Sequence, residues 1–131
     1  MTTYYIYGLI DPTTKEVRYV GCSKTPVLRF SQHLTYGRHQ DYKKCTGEWI
    51  CELLRKGQRP ELIIFEEYET KWKSYALDAE KQWMHHHIAS GARLLNKHTA
   101  SHYKRTSRIL PDREPTVARS DERGWYYTFD Y

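Results

Sequence analysis

The chain has 131 residues, with 21 Lys and Arg against 16 Asp and Glu for a formal net charge of +5. That length supports one domain with a buried core of its own, and the basic balance suits a polyanionic partner without identifying it. Three cysteines (Cys22, Cys45, Cys51) without a CxxC pair argue against a disulfide framework and against a zinc ribbon.

The opening MTTYYIYGLIDP lacks the basic region and apolar run of a signal peptide, and no apolar stretch approaches the roughly 20 residues a membrane-spanning helix needs. A soluble, intracellular, cytoplasmic protein is the expectation. Residues 3–10 (TYYIYGLI) are β-branched, aromatic and apolar and read as a strand. Asp11-Pro12-Thr13-Thr14 is turn chemistry, and Glu16 to Gly21 reads as the returning strand of an antiparallel hairpin. Thr25-Pro26 opens a helix that runs to about Gly37 and buries Val27, Phe30 and Leu34.

A second helix is expected from Thr46 to Lys56, with Trp49, Ile50, Leu53 and Leu54 as its apolar stripe and Gly57 as its stop. Arg59-Pro60 turns into a third strand from Glu61 to Glu66, and the longest helix runs from about Trp72 to Ser90, ended by Gly91. The order is β-β-α-α-β-α: an α/β (α+β) fold with a small three-stranded mixed sheet flanked by helices. Residues 1–103 form the expected domain and 104–131 an extended tail. From 101 to 131 six Lys and Arg face five Asp and Glu, so the tail is not a basic arm. Its aromatic end, Trp125 to Tyr131, is expected to dock back on the domain or on a partner, and it is a candidate homodimer surface.

Strand residues alternate faces, so a five-residue connection from Asp11 to Lys15 would set Tyr7 opposite Tyr19 with both phenols on one side. Arg29 and His33, four apart, stack on one helix face. Two phenols, a guanidinium and an imidazole suit a phosphate, with Arg as clamp and Tyr and His as proton-handling groups. On the long helix Ala76, Glu80, Trp83 and His87 follow helical spacing, which puts a carboxylate on the inward stripe. A buried acid is costly unless paired or metal-bound, and Mg²⁺ commonly needs only one or two protein carboxylates, so Glu80 is a candidate ligand. Successive His85, His86 and His87 point around the helix and cannot converge on a metal. Lys24 and the basic loop containing Arg38, His39, Lys43 and Lys44 are candidates for nucleic-acid backbone contact.

Together these residues resemble the GIY-YIG nucleases over roughly residues 4 to 98. Tyr7 and Tyr19 match the paired hairpin tyrosines, Arg29 and His33 the helix pair in LRFSQH, Glu80 the metal ligand in AEKQWM, and Asn96 the late asparagine in LLNKH. The first motif reads Tyr5-Ile6-Tyr7 where the family usually has Gly-Ile-Tyr, and Cys22 stands where many members carry Lys. The resemblance implies metal-dependent endonucleolytic hydrolysis of DNA phosphodiester bonds. Mg²⁺, with Mn²⁺ as a substitute, would sit on Glu80. Tyr7 as general base, or Tyr19 in its place, would form the base system with His33, Arg29 would stabilise the transition state, and Asn96 would orient Glu80 or contact the scissile phosphate. The alternative is a non-catalytic nucleic-acid-binding module that keeps the fold.

Overall fold

The hairpin is formed by β1 (Thr2–Ile10) and β2 (Val17–Ser23), paired antiparallel. Asp11 builds the turn: its Oδ1 accepts from the backbone N–H of Thr13 at 2.8 Å and of Thr14 at 3.0 Å. Tyr7 lies opposite Gly21, not Tyr19, and Tyr19 lies opposite Leu9. The connection is one residue longer than expected, pairing Ile10 with Val17, and a bulge between Leu9 and Ile10 adds one more. Two residues of slip preserve the alternation of faces, so both phenols still point the same way. Here and throughout, the computed structural model describes residues 1–38, 45–96, 110–111, 116–121 and 124–128.

Helices α1 (Pro26–Arg38) and α2 (Cys45–Arg55) follow. Gly57 ends α2 in the left-handed region at φ 73°, where Gln58 N–H reaches the Leu53 carbonyl at 2.8 Å. Strand β3 (Glu61–Thr70) pairs along the whole of β1, from Ile10 with Glu61 to Thr2 with Thr70. The sheet is therefore not mixed. β2 and β3 run the same way, as a helical crossover requires, but β1 lies between them and every neighbouring pair is antiparallel. Helix α3 (Lys73–Ala89) comes next.

The sheet has five strands rather than three, because the tail adds β4 (Thr116–Asp121) beside β3 and β5 (Gly124–Thr128) beyond it. Strand order is β2-β1-β3-β4-β5, leaving β2 at one edge. Helices cover both faces. On one, Phe30 and Leu34 of α1 and Ile50 of α2 pack on Tyr7, Leu9, Leu62 and Ile64. On the other, Ala79, Trp83 and Met84 of α3 pack on Ile6, Val20 and Phe65. Ile6 pairs with Glu66 and Tyr7 with Ile64, so Phe65 is a bulge residue, and Phe65 and Glu66 both serve the α3 side. No helix among the described residues is long and apolar enough to cross a membrane.

Candidate active site

Tyr7 is 1% exposed, its ring lying over the backbone of Gly21. A Cβ at Gly21 would come within 2.4 Å of the Tyr7 ring, so only glycine leaves room for the phenol in this register. Tyr7 Oη and Nε2 of His33, itself 5% exposed, share a hydrogen bond of 3.0 Å whose direction follows the imidazole tautomer. Tyr19 is half-buried, its ring centroid 6.1 Å from that of Tyr7 and 5.0 Å from that of His33, edge-on to the latter. The hairpin and α1 thus bring three of the expected residues into one group.

Arg29 borders it. Its Nη1 donates to Oε1 of the exposed Gln32 at 3.1 Å, one turn along α1. Burial drives the Tyr7 phenol well above its ordinary acidity range, and the neighbouring Tyr19 adds to this while the Arg29 charge pulls it back. The same burial, with Arg29 beside it, pushes the His33 imidazole down to about 4. At neutral pH the pair is therefore a neutral phenol and a neutral imidazole.

Glu80 lies across the sheet from this group, on the α3 side, against the edge strand. Burial pushes its carboxyl up to about 7, with Lys81 pulling the other way. Cys22 on β2 feels it: burial first, then Glu80, push that thiol up to about 12, while Lys73 opposes them. The four groups on the hairpin–α1 side and the carboxylate on the α3 side thus flank β2, an edge strand of the sheet. Among the described residues no cluster of three His, Cys, Asp or Glu could hold a metal unaided. A half-buried carboxylate disfavoured as an anion fits a site that water and substrate oxygens must complete.

Asn96 has a different place from the one expected. Its side chain spans the outward edge of β2, Oδ1 accepting from Val20 N–H at 3.1 Å and Nδ2 donating to the Val20 carbonyl at 2.7 Å. Leu95 N–H also donates to the Arg18 carbonyl at 2.6 Å, and Thr46 Oγ1 donates to the Leu95 carbonyl at 3.3 Å. Residues 95 and 96 act as a short false strand on the edge, and the amide is engaged there rather than turned to Glu80.

Of the residues expected to meet nucleic acid, Lys24 is exposed, its Nζ 5.7 Å over the Tyr4 ring. Arg38 is placed by its backbone at the end of α1, and His39, Lys43 and Lys44 lie outside the described residues. Sequence reasoning missed Glu66, a buried acid that accepts from Trp83 Nε1 at 2.9 Å; its signal was an acid following the apolar run of β3. It also missed the adjacency of Cys22 and Glu80, which follows from alternation on β2 once α3 is known to cover that face.

Residues 3–96 match the family model of the GIY-YIG catalytic domain. No curated protein and no solved structure matches the chain. The matched span covers most of the chain and runs from the first strand to Asn96, taking in every element that carries the site; the chain belongs to the GIY-YIG catalytic domain family, a family of nucleases.

Proposed function

We propose that this chain is a metal-dependent endonuclease that hydrolyses DNA phosphodiester bonds. The observation that carries the reading is the buried Tyr7–His33 hydrogen bond, with Tyr19 against both rings and Arg29 beside them. Apolar packing would have no use for an imidazole whose protonated form the fold disfavours; a proton acceptor held neutral beside an anion site has one.

Exposure separates the two phenols. Tyr7 is sealed, so Tyr19, half-buried, is the one to meet the attacking water. As the water attacks, Tyr19 Oη takes its proton and passes its own to Tyr7 Oη, whose proton goes to His33 Nε2. A phosphate on Arg29 neutralises the charge that, after burial, holds His33 low, so substrate itself makes the imidazole a better acceptor. Arg29 also balances the charge that builds on the phosphoryl oxygens. Glu80 would hold Mg²⁺ or Mn²⁺, and the cation, when bound, supplies positive charge to the leaving oxygen. Asn96 positions rather than reacts: by clamping Val20 it fixes the strand that carries Tyr19 and Gly21. Lys24, Arg38, His39, Lys43 and Lys44 would hold the flanking phosphates.

One observation favours the non-catalytic binding module instead, namely that no group of three His, Cys, Asp or Glu among the described residues could hold a metal. Nicking of supercoiled plasmid separates the readings. Cleavage that needs Mg²⁺ or Mn²⁺ and is lost in Arg29→Ala supports the nuclease. Salt-sensitive DNA binding with no cleavage under either metal supports the module.

A further inference from the structure

At the end of the sheet where β1 begins, β2 and β3 finish and α3 starts. There two large aromatic side chains stand in water: Trp72 is 61% exposed and Tyr75 54% exposed. Exposed Lys71 and Lys73 flank Trp72 in the sequence, and the Trp72 carbonyl accepts from Tyr75 N–H at 3.1 Å, so the two aromatics share one turn. Lys24 is at the same end, since Tyr5 pairs with Ser23 and the Lys24 ammonium sits over Tyr4. Lys73 and Glu80 act in opposite senses on Cys22, which joins this corner to the carboxylate side of the candidate site. None of the hydrolytic roles uses Trp72 or Tyr75.

We propose that Trp72 and Tyr75 form a stacking platform for unpaired nucleotides, with Lys24, Lys71 and Lys73 on the adjoining phosphates. The substrate class is then DNA carrying a single-stranded branch or end beside the duplex that is cut. The bases of an intact duplex have their faces covered by their neighbours, so an exposed indole can reach only a base that has left the stack. Three lysines at the same end of the sheet as the two aromatics favour a polyanion with flat apolar surfaces over a purely apolar partner. This inference rests on the DNA reading above.

The test uses the full chain in EDTA, with fluorescence anisotropy on a blunt duplex and on the same duplex bearing a thymidine overhang. Wild type binds the overhang substrate about tenfold or more tightly than the blunt one, the range of one stacked base. Trp72→Ala and Tyr75→Ala abolish that preference without changing blunt-duplex affinity or thermal melting, and Trp72→Phe retains part of it. Equal affinity of wild type for both substrates, or a preference that survives both alanines, overturns the platform. So does a DNA-free dimer in sedimentation that Trp72→Ala dissolves, which would make a second copy the occupant. Trp72-dependent preference in a protein that never cuts leaves the platform standing and removes the nuclease. Cutting with no such preference does the reverse.

Discussion

Gly21 shows how one residue's absence of a side chain can define a site. Its hydrogen faces the Tyr7 ring at a distance no methyl group can occupy, and Tyr7 cannot move away because it is packed among Leu9, Phe30 and Ile64. Gly21→Ala is expected to cost about 1–3 kcal/mol through overpacking and to break the Tyr7–His33 bond. Urea denaturation read with cutting activity checks it; a stable and fully active variant contradicts the fit. At Glu80 the sign of the pH effect can be worked out. Its carboxyl is raised from 4.5 to about 7 in the fold, so the native state holds the proton more tightly than the unfolded chain. The stability this contributes is present below pH 4.5 and is lost as pH rises through about 7. In EDTA, Glu80→Gln should match wild type near pH 4 and exceed it by about 1–3 kcal/mol near pH 8. A difference that does not change with pH would mean that Glu80 is not desolvated.

Among the elements, β2 carries the most. It gives Tyr19 and Gly21 to one face of the sheet and Val20 and Cys22 to the other, and its outward edge is closed by Leu95 and Asn96. Asn96→Ala removes both partners of the Val20 backbone and should destabilise by about 1–3 kcal/mol. Amide exchange at Val20 should quicken well before that of Ile6 or Leu62, whereas unchanged protection at Val20 would show that the clamp is dispensable. The helices, their glycine stops and the hairpin were legible in the sequence, because Phe30 and Leu34 in one helix and Ala76, Glu80 and Trp83 in another recur at helical spacing and Gly57 and Gly91 stand where left-handed backbone is needed. Register was not: a bulge adds a residue for reasons of twist that no local pattern records. Nor could the destination of Asn96 be read, since its partner is the backbone of a strand 76 residues away.

For the molecule as a whole, the sheet does what the element order alone could not reveal. The residues proposed for the site, from Tyr7 to Asn96, were named from the sequence, but their distribution on two sides of an edge strand depends on helices packing on both faces, which is a tertiary outcome. The tail was harder still, since TVARSD and GWYYT are too short and too mixed to announce strands; even so they pair beside β3. Ending the chain after residue 111 would uncover the β3 edge at Ile63 and Ile64. Such a chain should keep its melting transition but associate in a concentration-dependent way by light scattering; a monodisperse truncated chain would show that β4 is not guarding that edge. The central claim is that groups on both sides of β2 act on one phosphate. Single-turnover nicking with Mg²⁺ by Arg29→Ala, Glu80→Ala and the double variant tests it most directly. Shared action predicts that each single substitution costs about 10²-fold or more and that the double loses scarcely more than the worse single. Multiplicative losses, or a Glu80→Ala chain that cuts as wild type does, would contradict it.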